Sequence, residues 1–372
     1  MHASSDPIEA VSQRLDTFFA AMRVDSAPLG AEAELLTDAA IAAVHGGKRL
    51  RARFCLAGWH AVAEASGGPG MSAPTDDVIA AAASLEVFHA AALVHDDLID
   101  NSDTRRGKPA AHRALEAAHR GAGFVGDAAA FGRSGAVLLG DLLVAWSDDL
   151  LEAGLAEASA AATDGPARAA AARAEYATMR REVTIGQFLD VAEESAFRTE
   201  PDDRHAARAL RVASLKSARY SVQQPLLIGA ALAGADAGQR AALADFGHPV
   251  GIAFQLRDDV LGVFGDEAIT GKPAGDDLRE GKRTVLIAYA REALTPGSRR
   301  IVDELVGDPE LDGDQIASLQ RTIIESGALD RVERLIADET RTAERALTGA
   351  RLGNRAVGEL RDLARAATAR SA

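Results

Sequence analysis

Fourteen stretches of this sequence are predicted to be helices, because apolar residues recur at three- and four-residue spacing in most of them. None of them shows the clean alternation of apolar and polar residues that is typical of a strand. The stretches are 8–24, 30–45, 48–66, 76–101, 109–120, 135–162, 166–196, 203–234, 237–264, 283–295, 297–307, 313–325, 327–347 and 354–370. Abundant alanine and an aromatic content of only 4% favour close-packed helices, so we expect an all-α fold.

Glycine- and proline-rich breaks separate these helices at 66–70, 121–132, 265–281 and 307–309. There is no repeat of fixed period and no linker long enough to divide two domains, so we expect one domain over residues 1–372. Residues 1–7 are expected to be disordered. The stretch 265–282 is the exception to helicity, and its acids and lysines among glycine and proline indicate a polar flap.

Composition excludes several classes of protein. A formal net charge of −14 argues against a nucleic-acid-binding surface, so any phosphate must meet a local basic pocket. Cys55 is the only cysteine, which excludes an intrachain disulfide and a cysteine-rich zinc site. The N-terminus lacks the pattern of a secretory signal, and no uncharged apolar run reaches transmembrane length. We therefore expect a cytoplasmic protein that does not span a membrane.

Lysine usage points to sites for anions. The 41 basic residues include only five lysines, and each lies in a cluster rich in Gly, Arg or Asp: Lys48, Lys108, Lys216, Lys272 and Lys282. Chance survival in an arginine-biased sequence would have left some lysines on ordinary helix faces. A compact ammonium suits phosphate, so we interpret these lysines as functional.

Two acidic motifs follow apolar helical runs. In His95-Asp96-Asp97-Leu98-Ile99-Asp100, two carboxylates four residues apart share one helix face, where they repel each other unless a cation lies between them. A second pair, Asp258-Asp259, ends another apolar run. Hard divalent cations with oxygen ligands, above all Mg²⁺ bridging to a substrate diphosphate, suit such pairs. A single acidic motif is also compatible with an exposed helix end.

Two basic clusters beside glycine complement the acids. Gly46-Gly47-Lys48-Arg49-Leu50-Arg51 lies upstream, and Arg105-Arg106-Gly107-Lys108 directly follows the first acidic motif. Each cluster alone is more often a solvated turn. Together with the acids they indicate metal ions plus diphosphate, with the bases contacting the phosphate oxygens directly.

In these motifs the sequence resembles the trans (class I) polyprenyl diphosphate synthases. The residues within the motifs are most similar to those of geranylgeranyl-type synthases of high-GC bacteria. The family motifs occur in family order from residue 46 to residue 284. They are Gly47-Lys48-Arg49, Asp96-Asp97-Leu98-Ile99-Asp100 with Arg105-Arg106-Gly107, Gly186-Gln187-Phe188-Leu189-Asp190, Lys216-Ser217, Phe254-Gln255-x-x-Asp258-Asp259, Gly271-Lys272 and Asp277-Leu278-x-x-Gly281-Lys282-x-Thr284.

Two positions depart from the family pattern. Gly262 stands where the second motif usually has a third aspartate, so either Asp266 from the flap takes its role or the site relies on Asp258 alone. Ser217 replaces a threonine and keeps the hydroxyl. Neither change indicates an inactive enzyme.

The resemblance implies a single helical bundle of the isoprenoid synthase type with a central cavity, a homodimer, and Mg²⁺-dependent condensation of isopentenyl diphosphate with an allylic diphosphate (dimethylallyl, geranyl or farnesyl). It assigns Asp96, Asp100 and Asp258 as ligands of three Mg²⁺ ions. Residues expected to act on the allylic substrate and its cation are Lys216, Ser217, Tyr220, Gln255 and Lys272. Residues expected to bind diphosphates are Lys48, Arg51, His89, Arg105, Arg106 and Lys282.

Product length should depend on the helix before the first acidic motif. Ala91 and Ala92 lie about one turn below Asp96, and Phe88 lies a further ~4.5 Å along the axis, which suits a floor for a C20 product, geranylgeranyl diphosphate. Phe88 could instead only pack against a neighbouring helix.

Two rival functions remain, a non-catalytic prenyl-diphosphate-binding subunit and a class I terpene cyclase. A cyclase would lack the second basic pocket.

Overall fold

The computed structural model describes residues 6–67, 73–265 and 274–368, and almost all of them are helical, which confirms the all-α prediction. In these ranges the α-helices are α1 Pro7–Ser26, α2 Ala31–Val44, α3 Leu50–Ala65, α4 Asp76–Ile99, α5 Ala111–Gly121, α6 Ala128–Ala161, α7 Gly165–Ala196, α8 His205–Val212, α9 Gln224–Leu232, α10 Ala237–Phe264, α11 Asp276–Glu280, α12 Val285–Ala293, α13 Pro296–Leu305, α14 Gly313–Glu325, α15 Ala328–Ala346 and α16 Asn354–Thr368. Short 3₁₀ helices cover Ala27–Leu29, Phe197–Thr199 and Asp202–Arg204, and a π-helix covers Ala213–Gln223.

The described residues divide into two compact units. The first unit lies within Met1–Arg173 and Ile228–Gly234, and α4 is its buried helix. Helix α4 packs along α6 and against α3 and α1. Gly154 makes the α6 contact close, since a Cβ there would lie 2.8 Å from the Asp77 carbonyl oxygen. Small residues on both helices therefore set how closely their backbones approach.

The second unit lies within Ala174–Leu227 and Ala235–Ala372, and α10 is its organising helix. It packs against the π-helix and α15 and buries Ile252, Leu256 and Val260 in an apolar core shared with α12. Gly251 lets the π-helix come close, because a Cβ on it would lie 2.5 Å from the Ala218 carbonyl oxygen.

Two helices, α4 and α6, are long and apolar enough to cross a membrane by length and composition. In α4, 72% of the apolar window is buried, as in the core helix of a folded protein, whereas in α6 only 28% is buried. One or two such helices are weak evidence for insertion. The absence of a membrane span therefore stays a prediction.

The structure corrects the expected helix starts. Residues 1–7 were expected to be disordered, but α1 begins at Pro7, and the Asp6 carboxylate caps it by accepting a 3.0 Å hydrogen bond from the Ile8 amide. Residues 1–5 lie outside the described part. The break at 121–132 is shorter than expected, because Asp127 caps α6 and its Oδ1 accepts from the Ala129 amide at 2.9 Å. Pro7 stands at the first helical position, where its fixed φ favours a helix start, and at α6 the Asp127 cap outweighs the cost of Gly132 within the helix.

The secondary structure differs from the predicted elements in three further places. The helix predicted over 203–234 contains the π-helix between α8 and α9. The flap predicted as non-helical includes α11, Asp276–Glu280, which has glycine in the left-handed conformation at both ends. A two-residue antiparallel pair, β1 Thr104–Arg105 with β2 Lys108–Pro109, follows the first acidic motif. The single-domain organisation over 1–372 stays a prediction.

Candidate active site

The first acidic motif forms the last turn of α4 in the first unit. Asp97 points inward and is buried, and its Oδ1 accepts a 2.8 Å hydrogen bond from Arg105 Nε. Arg105 Nη2 also lies 3.5 Å from Asp96 Oδ2. The β1–β2 turn thus folds back so that Arg105 contacts Asp96 and Asp97, which precede it by nine and eight residues. Asp96 and Asp100, one helical turn apart, remain partly exposed and can bind a ligand from solvent.

A basic group gathers around His89, which lies on α4 about two turns before Asp96. Burial lowers the pKa of His89 well below its usual value, and the charges of Arg51, Arg106 and Arg105 lower it further. Four of the six predicted diphosphate-binding residues therefore lie together in the first unit. A neutral imidazole among three guanidinium groups is an environment suited to a polyanion.

The loop before α3 supplies the rest of this basic group. Gly46 and Gly47 have φ values of 84° and 87°, and Arg49 has φ 51°, so the backbone turns sharply around Lys48. A Cβ on Gly47 would lie 3.1 Å from both terminal nitrogens of Arg106. The glycine-rich loop and the Arg106 guanidinium are therefore in contact, and Lys48 is exposed beside them.

Glu86 is a functional candidate that the sequence motifs did not indicate. Its side chain is buried in α4, and Oε1 accepts a 2.9 Å hydrogen bond from the Ala52 amide in the first turn of α3. Oε2 lies 3.7 Å from Arg49 Nη1. One sequence signal could have indicated Glu86, because it is a carboxylate within an otherwise apolar run. A buried carboxylate needs hydrogen-bond or ion-pair partners.

The second acidic motif lies near the end of α10 in the second unit. Asp259 is buried, and its Oδ1 accepts a 2.7 Å hydrogen bond from Gln255 Nε2. Burial, followed by the charge of Asp277, raises the pKa of Asp259 to about 8. Asp258 is half-buried. Gln255, expected to face a carbocation, therefore holds Asp259 in this structure.

The π-helix places Lys216, Ser217 and Tyr220 in the second unit. Lys216 Nζ lies 2.6 Å from Asp190 Oδ2, the last residue of the Gly186-Gln187-x-x-Asp190 motif on α7. Two motifs far apart in sequence thus form one ion pair. Ser217 is half-buried, and Tyr220 is buried. π-Helical segments are frequent at functional sites, which agrees with this grouping.

Lys282 follows α11. Its Nζ lies 2.5 Å from Glu280 Oε2 and 3.5 Å from Asp277 Oδ1, so two carboxylates balance its charge. Lys272 and Asp266 lie outside the described residues.

The carboxylates of the two acidic motifs are the oxygen donors available to a divalent cation. Within 6–67, 73–265 and 274–368, no group of three or more His, Cys, Asp or Glu side chains is arranged to hold a metal ion. Mg²⁺ usually keeps several waters and takes only one or two protein carboxylates plus substrate phosphates. Asp96 and Asp100 in the first unit, and Asp258 in the second, each offer the kind of oxygen donor that Mg²⁺ takes when it arrives with a diphosphate.

The described residues are almost all helical and carry an acidic pair near the end of each of two helices, with the Arg105 turn against the first pair. This combination is typical of helical enzymes that act on diphosphates. Residues 33–323 match the model of the polyprenyl synthetase family. This chain belongs to that family, which confirms the resemblance and the prediction of a prenyltransferase.

Two relatives of this chain are named as prenyl diphosphate synthases, in agreement with the family assignment. The chain is 34% identical to geranylfarnesyl diphosphate synthase of Aeropyrum pernix, over 77% of this chain and 79% of the relative. It is 30% identical to geranylgeranyl diphosphate synthase of Methanosarcina mazei, over 78% and 76% of the two chains.

Among solved structures, the fold is similar to a geranylgeranyl pyrophosphate synthase from Corynebacterium glutamicum complexed with isoprenyl diphosphate and magnesium. The TM-score is 0.88 at 39% identity, and the match covers 98% of each chain. The likeness to a synthase of high-GC bacteria that the motifs indicated is therefore supported.

Proposed function

We propose that this protein condenses isopentenyl diphosphate with an allylic diphosphate, head to tail, to form a longer trans-prenyl diphosphate in a Mg²⁺-dependent reaction. The observation that carries the proposal is the presence of two kinds of group in one family member: acidic pairs, with Arg105 against the first of them, and a further basic group in which Arg51 and Arg106 lie near His89. A cyclase has no need for the second. Asp96, Asp100 and Asp258 are the proposed ligands of three Mg²⁺ ions.

The allylic half of the reaction starts with cleavage of a carbon–oxygen bond. Bound Mg²⁺ supplies positive charge to the oxygens of the leaving diphosphate. Arg105, Lys216 and Lys272 add charge-assisted hydrogen bonds to the same leaving group. Lys216 is paired with Asp190, so the aspartate holds the ammonium in place before substrate binds. Ser217, Tyr220 and Gln255 are proposed to shield the allylic cation from water.

The isopentenyl half uses the basic group of the first unit. Lys48, Arg51, His89 and Arg106 bind the second diphosphate, and Lys282 is proposed as a further diphosphate contact. The double bond of isopentenyl diphosphate attacks the cation, and the departing diphosphate takes the proton that is lost. No side chain is needed as general base in this scheme.

The proposal is tested by incubating the purified protein with Mg²⁺, radiolabelled isopentenyl diphosphate and each allylic starter in turn, with products sized by chromatography. Elongated products that disappear when EDTA removes the metal support it. Tight binding of both substrates without any product would favour a non-catalytic subunit. A cyclic hydrocarbon formed from the allylic substrate alone would favour a cyclase.

A C20 product is the proposed outcome of chain elongation. Asp96, Ala92 and Phe88 lie at intervals of four residues on α4 and therefore share one stripe of the helix. Ala91 and Phe88 are buried, so a chain growing along this helix meets small side chains first and an aromatic ring one turn later. The relatives' names cover C15, C20 and C25 products, so this stripe is the local basis for the proposal.

We also propose a homodimer in the cytoplasm. Helix α6 exposes Val137 and Leu138, and α7 exposes Ile185 and Phe188, the last at 71% of its surface. Ile185 and Phe188 lie three residues apart and share one face of α7, whereas Val137 and Leu138 are neighbours in sequence on α6. Exposed apolar patches are typical of protein interfaces. A second copy of this chain is the proposed partner.

A further inference from the structure

Three residues of α7 that contact the π-helix follow one another at four-residue intervals and therefore share one face of α7. Asp190 Oδ2 lies 2.6 Å from Lys216 Nζ. A Cβ on Gly186 would lie only 2.8 Å from the Lys216 Cα, so the two backbones are in contact. Glu182 is the third residue, and it precedes the Gly-Gln-x-x-Asp motif to which the other two belong. The face of α7 that holds Lys216 thus continues to Glu182.

The Glu182 carboxylate bridges two side chains that are five residues apart. Its Oε1 accepts a hydrogen bond from Arg219 Nη1, and its Oε2 accepts a 2.7 Å hydrogen bond from Gln224 Nε2. Gln224 is buried, and its Oε1 has no hydrogen-bond partner among the described residues. Glu182 therefore balances the charge of Arg219 and also satisfies the amide group of Gln224.

The spacing of the two bridged residues matches a π register. The Gln224 backbone amide donates to the Arg219 carbonyl oxygen, which is the bond between residues five apart that defines a π-helix. The two side chains therefore leave the helix on the same side. In an α-helix, at 3.6 residues per turn, residues five apart point about 140° away from each other. One carboxylate would then face Arg219 or Gln224, but not both.

Other contacts place the π-helix without specifying its register as closely. Gly251 lets α10 approach, but such packing is non-directional. Pro225 has no amide hydrogen to donate, which weakens a continuous α-helix at this point without selecting a π register. Hydrogen bonds depend on direction. The directional contacts lie at the two ends of the segment, where Ser214 Oγ is 2.8 Å from His248 Nε2 and where Glu182 forms its bridge.

We infer that Glu182 is a positioning residue, which holds the π register of Ala213–Gln223 and thereby the orientation of Lys216, Ser217 and Tyr220. The inference rests on the proposed function and deepens it, because these three residues are proposed to act on the allylic substrate. Without the bridge the π hydrogen bonds open more often. A shift by one residue would then turn one end of the segment by about 100° relative to the other.

Hydrogen–deuterium exchange of the protein without substrate tests the register independently of activity. In Glu182→Ala, the amides of residues 218–224 should exchange at least about tenfold faster than in wild type, because the bridge no longer holds the π hydrogen bonds closed. The matched control is Glu194→Ala, which removes an exposed glutamate from the same helix and should leave this exchange within about twofold of wild type. Circular dichroism checks that each variant folds.

Glu182→Gln separates a bridge from a charge. The buried amide group of Gln224 can turn over, so that its Oε1 accepts from the introduced amide, whose own oxygen still accepts from Arg219. Glu182→Gln should therefore keep kcat within about threefold of wild type. Glu182→Ala should lower kcat at least about tenfold, with the KM for isopentenyl diphosphate within about twofold. A carboxylate acting as a base or a metal ligand would be lost in both variants.

Unchanged exchange in Glu182→Ala, or equal losses of kcat in Glu182→Gln and Glu182→Ala, would overturn the inference. If Glu182→Ala does not fold, Gln224→Ala takes its place, since it removes one arm of the bridge and keeps the pair with Arg219, and faster exchange is again expected. Faster exchange in a protein that forms no prenyl product would support the role of Glu182 in the register and overturn the proposed function. Unchanged exchange in an active enzyme would do the reverse.

Discussion

The Glu86 carboxylate accepts a 2.9 Å hydrogen bond from the Ala52 backbone amide, which ties the buried helix α4 to the first turn of α3. This bond lies just beyond the turn at Gly46–Arg49 that presents Lys48. His89 follows Glu86 by three residues and so lies about one turn along the same helix. The buried carboxylate of Glu86 therefore connects the start of α3, next to the Lys48 turn, with the helix that carries His89.

Replacing Glu86 with Ala should loosen this group. The Ala52 amide would lose its acceptor inside the protein, so the free energy of unfolding should fall by about 2 kcal/mol. The KM for isopentenyl diphosphate should rise several-fold more than the KM for the allylic substrate. Urea unfolding and steady-state kinetics measure the two effects, with Glu32→Ala on the exposed face of α2 as a control. Unchanged KM values would show that Glu86 has no part in substrate binding.

The two substrates should respond to different lysines. Lys48→Ala should raise the KM for isopentenyl diphosphate far more than the KM for the allylic substrate, and Lys272→Ala should do the reverse. The reason is that the two diphosphates are assigned to separate basic groups. Initial-rate kinetics with each substrate varied in turn provide the measurement. Equal effects of both variants on both substrates would mean that the assignment of the basic clusters is wrong.

Much of the fold could be predicted because helical periodicity is a local property. The helices α4 and α10 begin and end within a few residues of the predicted bounds. The π-helix at Ala213–Gln223 could not be predicted, because apolar spacing along the sequence does not distinguish a π from an α hydrogen-bond register. Helix α11 was missed because five residues are too few to show a period.

The site was predictable where chemistry is concentrated in motifs. The acids and arginines around Asp96 and His89 could be named from sequence, and the structure groups them within the first unit. Glu86 acquires its role from a non-local contact with the Ala52 amide. No spacing rule links residues 34 positions apart, so this role could not be predicted from the sequence.

Product length should follow the side chains one and two turns below Asp96. Phe88→Ala should lengthen the products beyond C20, because removing the ring opens space along α4. Ala91→Phe should shorten them to C15, since it raises the floor by about 4.5 Å. Chromatography of the dephosphorylated products measures both changes. An unchanged distribution for Phe88→Ala would place the floor elsewhere.

The protein should be a dimer at micromolar concentration. Static light scattering should return twice the chain mass of 38.7 kDa. Leu138→Glu introduces a charge on the exposed apolar face of α6 and should shift the mass towards the monomer. The matched control is Ala156→Glu, which adds the same charge at an exposed position of the same helix. A wild-type mass equal to one chain would refute the dimer.

The acidic motifs are tested most directly by the turnover of Asp96→Ala and Asp258→Ala with saturating substrates and Mg²⁺. Removing one carboxylate from a cluster relieves repulsion, so the helical circular dichroism and the melting curve should stay close to those of wild type. Product formation should fall far below a tenth of the wild-type rate in each variant. A properly folded variant that keeps more than about a tenth of the activity, a loss of under ~1.4 kcal/mol, would contradict the assignment of these aspartates as metal ligands.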